Sequence, residues 1–346
     1  MIGIADPIRF MIDLTAFFSI YLMLSISLNL EYGYTGIPNF GKVLFFAGGA
    51  FIAGAVITRL LLIIIGLSSE NYCSFNVLYA SEVTKYLAEN PLLSILIFVT
   101  ILLAGCIVGG LLGYVASYPA IRLKETYLGI TLLASGELLR IVARNYDPLI
   151  CGTLGVSVPD VLAWIPANIK EFVQVLIMLG IALSIWFFVE KLARSPLGRL
   201  IRAIRDNEIA AESYGKDIVK VRMKILVLGS AIAGIAGVLY ALYVRSVHAD
   251  DFMPLRTFMI WVMIIIGGVG NNIGAALGSF IYVSTERLIM QYKHYIVAPF
   301  DVNYLSYIFF GIVLILILMF KPKGLLPEKP SKTTEFEKII KKLKKK

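Results

Sequence analysis

The sequence predicts an all-α, polytopic integral membrane helical bundle with broken or half-length helices and a cytoplasmic amphipathic helix. Of the 346 residues, 58% are hydrophobic and only 16% are charged. Apolar runs of nearly 20 residues recur, and a helix of that length crosses a hydrocarbon core of about 30 Å. A soluble core does not need so many runs of this kind, so the chain is expected to lie in a membrane.

The positive charge of the chain is clustered. Lys and Arg number 32 against 23 Asp and Glu, and 19 of the 32 basic residues lie in 191–224 and 321–346. Short loops rich in Lys and Arg stay on the cytoplasmic side, so both segments are predicted to be inside. This pattern explains the charge without a nucleic-acid partner. The final Lys run is predicted to be a solvated tail that faces the lipid surface.

About nine spans are predicted, with the N-terminus outside and the C-terminus cytoplasmic. No basic stretch precedes the first apolar run, so no cleavable signal peptide is expected. Because both basic segments lie inside, an even number of crossings must separate them. The predicted spans are 10–30, 43–66, 92–117, 126–143, 171–189, 225–244, 258–269, 273–290 and 303–320. They form one transmembrane domain over residues 1–320, followed by a basic tail over 321–346.

Two glycine-rich segments interrupt the apolar runs. Residues 33–41 hold three glycines and a proline, too many for a regular helix. The letters GGVGNN at 267–272 divide a run that is too long for one crossing, which predicts a half-length helix over 258–269. Broken backbone at membrane depth is tolerated only where protein buries it or water reaches it. We therefore expect both breaks near a pathway or a subunit interface.

Small and charged residues predict particular helix contacts. Gly105, Gly109 and Gly113 lie on one face of the third span and predict a packing seam, with random glycine enrichment as the alternative. Glu137 and Arg140 share a face of the fourth span and can pair. The pair is either a polar anchor near the outer interface or a neighbour of a polar path through the membrane.

The predicted outer loops, 67–91 and 144–170, each contain one cysteine. Cys73 and Cys151 can therefore form a disulfide, whereas Cys106 is expected in lipid. Three cysteines without tight spacing give no metal site, and no cofactor is predicted.

The most polar internal stretch, residues 194–224, predicts an amphipathic helix interrupted at Gly215, with two such helices in tandem as the alternative. Ser195 and Pro196 suit the start of this helix. Such a helix can lie on anionic lipid, be an ordinary charged loop, or dock into a groove of a soluble partner. Its apolar residues recur near a helical period, at Leu197, Leu200, Ile201, Ile204, Ala211 and Tyr214.

Five sequence blocks resemble the permease subunits of branched-chain amino-acid ABC importers, the LivH/LivM class, with the LivM type closest. The blocks read NLEYGYTGIPNFGKVLFFAGGAFIAG, NYDPLICGTLGV, GRLIRAIRDNEIAAESYGKDI, AIAGIAGVLYAL and IIIGGVGNNIGAALGSFIYV. The similarity runs from about residue 28 to 326, and the order and spacing of the blocks make it specific. KPKGLLP resembles the closing motif of the family, whereas Cys151 stands where the family pattern has Gly.

The resemblance implies inward transport of Leu, Ile or Val across the cell membrane, driven by separate ATPase subunits. The implied partners are a homologous second permease subunit, two ABC ATPase subunits, an external substrate-binding protein and the lipid bilayer; hetero- and homodimeric pairing both stay open. It also implies that residues 191–224 form a coupling loop whose helix fits a groove of an ATPase. The expected coupling residues are Gly198, Arg199, Ala203, Ile204, Arg205, Asp206, Asn207, Glu208, Ala210, Ala211 and Gly215.

The two helix breaks are the predicted substrate path. Free backbone groups at a break can meet the carboxylate or ammonium of an amino acid. The alternative is that the glycines only allow helices to cross. The predicted path residues are Asn39, Gly41, Gly267, Gly268, Gly270 and Asn271.

The sequence contains no Walker A loop, nucleophile elbow or metal motif, so an enzyme is not predicted. One alternative is a related ABC permease for urea, amides, sugars or nucleosides. Another is an ion-coupled secondary transporter. Only Glu137 is clearly intramembrane by sequence, and this shortage of buried carboxylates disfavours the ion-coupled alternative.

Overall fold

The computed structural model describes residues 7–66, 71–120, 125–293 and 303–328. Almost all of the described chain is helical, as predicted. The helices are α1 (Pro7–Leu28), α2 (Lys42–Ile65), α3 (Tyr72–Glu89), α4 (Pro91–Ala120), α5 (Glu125–Asn145), α6 (Asp147–Ile150), α7 (Ala167–Arg194), α8 (Pro196–Asp206), α9 (Glu208–Ser213), α10 (Ile218–Val244), α11 (Leu255–Gly267), α12 (Asn272–Tyr292) and α13 (Asn303–Phe320). The Lys run of the tail, beyond residue 328, lies outside the described residues.

Every predicted span coincides with a helix, and the polytopic helical bundle is confirmed. Within the described residues, six helices are long and apolar enough to cross a membrane, and α13 is a shorter apolar helix. The α11–α12 pair bends by 119° at its break. Helix α11 has 13 residues, about 20 Å of helix, so the half-length helix is also confirmed. The total of nine crossings stays a prediction.

Helices α1, α2 and α10 form the centre of the bundle, with most of their residues buried, whereas fewer than a third of the residues are buried in the most apolar parts of α4, α5 and α7. The glycine seam of α4 packs against α10. A Cβ atom at Gly109 would lie 2.6 Å from the carbonyl oxygen of Ser230, and one at Gly113 would lie 2.5 Å from the Ser230 side chain. The predicted packing seam is therefore confirmed, because only glycine permits this approach of the two backbones.

The predicted outer loop over 67–91 is wrong over most of its length, because α3 occupies it. The side chains that α3 buries recur every three or four residues, the helical period that polar neighbours masked. The disulfide left open by the sequence is present, with the Cα atoms of Cys73 and Cys151 5.3 Å apart. It ties the start of α3 to the segment after α6. The buried stripe consists of Tyr72, Asn76, Ala80, Val83 and Leu87.

A small polar cap covers this end of the bundle. Strands β1 (Val156–Ser157) and β2 (Ser246–Val247) pair antiparallel. Beside them, Asp160 accepts ion pairs from Lys170 at 2.8 Å and from Arg245 at 2.9 Å. These contacts hold the 144–170 segment against the start of the segment that follows α10.

Charged side chains of α5 also face this cap. The carboxylate of Glu137 accepts two hydrogen bonds from Nε of Arg140, at 2.9 and 3.1 Å, which confirms the predicted pair. Arg140 also pairs with Asp250. Because the Arg140–Asp250 pair joins α5 to the segment before α11, these charged side chains anchor the two parts of the chain to each other.

The segment between α10 and α11 packs partly into the bundle. Phe252 is completely buried. Its ring centroid lies 5.3 Å from that of Phe46 and 5.2 Å from that of Phe51. Burial of this aromatic side chain among the rings of α2 holds the segment against the bundle just before α11 begins.

Candidate coupling site and helix breaks

The predicted amphipathic helix consists of two helices, α8 and α9, here called the coupling helices. Ser195 caps α8 by accepting a hydrogen bond from the amide of Gly198 at 3.3 Å, as its position suggested. The two helices are separated at Asn207, earlier than the predicted interruption at Gly215, because Asn207 has extended backbone angles and caps α9 through the amide of Ala210 at 3.0 Å. Gly215, with φ of +72°, makes the turn into α10.

The coupling helices have an inner face that holds them on the bundle. Ile204 and Ala211 pack with Ile218 of α10 in a small buried cluster. A Cβ atom at Gly198 would lie 2.7 Å from the carbonyl oxygen of Leu192. Three predicted coupling residues, Gly198, Ile204 and Ala211, therefore stabilise the loop itself.

The outer face of the coupling helices is free in this chain. Ile209 and Tyr214 are the most exposed apolar side chains there, at 80% and 83%. Large apolar side chains on a polar helix pair indicate a surface that a partner covers. Arg205 is half-buried, and the other predicted coupling residues are exposed: Arg199, Ala203, Asp206, Asn207, Glu208, Ala210 and Gly215.

Two arginines of α8 join the coupling helices to the rest of the bundle. The guanidinium of Arg205 donates to the carbonyl oxygen of Gly33 in the first break, and it pairs with Glu328 at 2.9 Å. Arg202 pairs with the same carboxylate at 3.1 Å and lies over the ring of Tyr34. Burial alone lowers the pKa of Arg205, but the hydrogen bond and charge of Glu328 outweigh it and leave this pKa raised. Arg205 thus stays cationic.

The first break is a π-helical turn, Asn29–Tyr34, followed by irregular chain to the start of α2. A fully buried ion pair closes it, with 2.8 Å between Nζ of Lys42 and Oε1 of Glu31. Asn39 donates to Glu31 Oε2 at 2.8 Å and accepts from the amide of Gly41 at 2.9 Å. Each charge in this buried cluster thus has a partner, as burial requires.

This ion pair corrects the prediction that only Glu137 is clearly intramembrane, since Glu31 and Glu286 are also buried within helices of the bundle. Glu31 lies at the end of an apolar run, and Lys42 lies eleven residues later, beyond a Gly/Pro-rich stretch. An acidic and a basic residue that flank a break were the available signal. Their separation fits no regular helical pairing, so the signal passed unrecognised.

The second break is filled by the segment 321–328, which contains the KPKGLLP motif. The amide of Leu325 donates to the carbonyl of Ile266 at 3.0 Å, and that of Leu326 donates to the carbonyl of Gly267 at 2.9 Å. These two bonds satisfy carbonyl groups that the end of α11 leaves without helical partners. They also extend the link from α8, through Glu328, to α11.

The predicted path residues at this break are occupied within the chain. Asn271 caps α12 by accepting from the amide of Ile273 at 3.0 Å. Its side-chain amide donates to the carbonyl of Leu326 at 3.3 Å. Gly268 has φ of +121°, and a Cβ there would overlap the same carbonyl. A Cβ at Gly270 would lie 2.9 Å from the carboxyl carbon of Glu328.

The two breaks contact each other through a pair of asparagines that the sequence analysis missed. Asn29 accepts from the amide of Gly270 at 2.8 Å and donates to the side chain of Asn272 at 2.9 Å. Asn272 in turn donates to Glu190 of α7 at 2.8 Å. The structure thus brings both predicted path segments together, beside α8. Their role in carrying a substrate stays a prediction.

Comparison with known proteins identifies the family of this chain. The model of a family described as the permease component of the branched-chain amino acid transport system matches residues 10–318. This chain belongs to that family. The permease is therefore a multi-pass membrane protein of a transport system, and the resemblance read from the sequence blocks is confirmed.

Curated relatives agree with the family assignment. The permease is 39% identical to a probable branched-chain amino acid transport permease protein LivM of Methanocaldococcus jannaschii, over 93% of this chain and 95% of the relative. It is 24% identical to the high-affinity LivM permease protein of Escherichia coli K12, over 91% and 70%. A probable LivH permease protein of M. jannaschii is 25% identical, over 89% and 88%. No solved structure matches the chain.

Proposed function

We propose that this permease is the membrane-spanning subunit of an ABC importer that moves branched-chain amino acids inward. One observation carries the proposal. The coupling helices have a free apolar outer face, while Arg205 bonds to both the first break and the segment that fills the second. This connection suits a transporter whose driving energy comes from a separate subunit. The identity of the cargo is inferred from the names of the family and of the LivM relatives.

The mechanism begins with an ATPase subunit that covers Ile209 and Tyr214. Movement of that subunit shifts α8 against α7 and α10. Because Arg205 contacts Gly33 and Glu328, the shift acts on the first break directly and on α11 through the 321–328 segment. Breaks are the places where helices can rearrange without losing whole ladders of hydrogen bonds. Alternating access results when the half-length helix α11 changes its orientation relative to α1.

The remaining partners follow from the same assignment. Relatives named LivM and LivH both match this chain, which supports a pair of homologous permease subunits. An external binding protein delivers the cargo, and ATP is hydrolysed on two separate ATPase subunits, so the permease itself performs no catalysis. The coupling helices and the 321–328 segment lie at the same end of the bundle. Their positive charge supports a cytoplasmic location for that end, and the proposed topology has the N-terminus outside the cell.

A second candidate function is ion-coupled secondary transport. The buried Glu31–Lys42 pair and the buried Glu286 favour it, because intramembrane carboxylates commonly relay protons or bind ions. A secondary transporter, however, has no use for two apolar side chains presented on cytoplasmic helices.

The test is uptake of labelled leucine by proteoliposomes that contain the permease, a second permease subunit and two ATPase subunits, with the binding protein added outside. We expect uptake that needs ATP inside and is insensitive to collapse of proton and sodium gradients. Unlabelled isoleucine and valine should compete, whereas urea, ribose and adenosine should not. Uptake driven by an ion gradient without ATP would instead support secondary transport.

A further inference from the structure

A second polar cluster lies at the opposite end of the bundle from the coupling helices. Glu286 of α12 is 9% exposed, and its Oε2 atom has no hydrogen-bond partner among the described residues. Tyr282, one turn earlier on the same face, is 1% exposed, and its hydroxyl also has no partner there. A buried carboxylate oxygen without a hydrogen-bond partner is costly within a membrane. The two side chains therefore indicate a site for a ligand that the protein binds transiently.

Two arginines lie close enough to Glu286 to act on it electrostatically, and each is held by another partner. Arg256 donates to the hydroxyl of Tyr240 at 3.1 Å. Arg287 pairs with Asp13 at 3.2 Å and lies over the ring of Phe17. Arg256 also lies 3.9 Å from a carboxylate oxygen of Asp251. These contacts hold both positive charges in the region of Glu286. The cluster thus offers separate positive and negative groups in one buried region.

Aromatic rings surround these charges. The ring centroid of Tyr282 lies 6.3 Å from that of Tyr21 and 4.2 Å from that of Phe310. The faces of aromatic rings pack well against an aliphatic side chain, and they also attract a cation that lies over the ring. A negative group, a positive group and an apolar wall are the three features that a zwitterionic, apolar α-amino acid requires.

We propose that Glu286 and Tyr282 bind the ammonium group of an α-amino acid cargo, that Arg256 binds its carboxylate, and that Tyr21 contacts its side chain. This inference rests on the proposed function, since it assumes that the cargo is an amino acid. It adds a cargo-binding site at the outer end of the bundle, apart from the two helix breaks. The cargo reaches this site first and the breaks afterwards.

The experiment compares Glu286→Gln with Glu286→Asp, Tyr282→Phe and the control Glu137→Gln in the reconstituted complex. We expect Glu286→Gln to lower leucine uptake at least about tenfold, roughly the loss of one charged hydrogen bond. Its Tm should stay or rise, because the variant removes a buried charge whose Oε2 atom has no hydrogen-bond partner among the described residues. Glu286→Asp should recover part of the uptake, and Tyr282→Phe should lower it by a smaller factor.

The control carboxylate, Glu137, already pairs with Arg140, so its variant should lose stability while uptake per folded complex stays within about twofold. Wild-type uptake by Glu286→Gln would overturn the inference. So would a loss of uptake accompanied by a lower Tm, since that result marks a structural role. Absence of amino-acid uptake by the wild-type complex is a different result, which rejects the proposed function and this inference with it.

Discussion

Arg205 of α8 and Glu328 of the C-terminal segment form an ion pair, with 2.9 Å between Nη1 and Oε2. The carboxylate group also approaches Gly270 closely. One side chain near the end of the described chain thereby joins the coupling helices to the break between α11 and α12. In the proposed mechanism, the 321–328 segment, which follows the last helix, is therefore part of the coupling machinery.

The first prediction is that Glu328→Gln uncouples transport from ATP hydrolysis. Both partners of the ion pair are about one quarter exposed, so its loss should cost only about 1 kcal/mol of stability. The helices should still assemble, but movement of α8 would no longer reach α11. We expect leucine uptake per ATP hydrolysed to fall several-fold. The matched control is Asp206→Asn, which removes a more exposed partner of Arg205; an equal loss in both variants contradicts the prediction.

The second prediction concerns the surface that meets the ATPase. Ile209→Asp places a charge on an apolar side chain that is 80% exposed, so the permease alone should fold normally. Burial of that charge under the ATPase is unfavourable. Co-purification of the ATPase subunits and ATP-driven uptake should therefore decrease together, by about tenfold or more. Ile209→Leu keeps the apolar surface and should bind as the wild type does. Normal co-purification by the Asp variant would show that the ATPase docks elsewhere.

Variants at Gly198 and Ala211 are less informative for this question. Gly198 abuts the backbone of α7, and Ala211 lies in the cluster with Ile204. A large or charged side chain at either position disrupts the loop whether or not a partner binds.

The third prediction concerns the buried ion pair of the first break. Lys42→Met leaves the carboxylate of Glu31 buried with only Asn39 as a partner, and it should destabilise the permease by about 3–5 kcal/mol. The double variant Lys42→Met with Glu31→Gln removes both charges and should regain most of this loss. Thermal unfolding of the wild type, both single variants and the double variant forms a double-mutant cycle. Additive changes in stability would contradict a coupled pair.

The fourth prediction concerns the disulfide. Cys73 and Cys151 are 78 residues apart in sequence, and a bridge over a loop of this size stabilises a fold by about 2–4 kcal/mol. We expect reduction, or replacement of both cysteines by serine, to lower Tm and to loosen the segment around α6 in limited proteolysis. Cys106→Ser should change neither result, because Cys106 is a free thiol on α4. An unchanged Tm after verified reduction would show that the bridge adds no stability.

The fifth prediction tests which end of the bundle is cytoplasmic. In a Cys106→Ser background, a cysteine at Thr153 should react with an impermeant thiol reagent in intact cells. A cysteine at Glu212 of α9 should react only after permeabilisation. Both positions are exposed, whereas Asp160 is buried in ion pairs and is a poor reporter of sidedness. Labelling of position 212 in intact cells would invert the orientation.

Local patterns account for what the sequence analysis predicted correctly. The spans, the half-length helix before Gly267, the cap at Ser195 and the Glu137–Arg140 pair each depend on residues within about one helix of one another. Hydrophobic length, glycine spacing and helical period express these features directly. One local feature, α3, was missed because exposed polar side chains conceal its narrow buried stripe.

The sequence by itself determined the class of fold, the family and the positions of both helix breaks, because these follow from patterns along the chain. Only the tertiary structure revealed that Glu31 pairs with Lys42, that the 321–328 segment fills the second break, and that Oε2 of Glu286 is buried without a hydrogen-bond partner among the described residues. Each of these features depends on which distant residues share a buried space. Burial makes an unpaired charge or carbonyl costly, so the partners of a polar group can be identified only once the helices are packed.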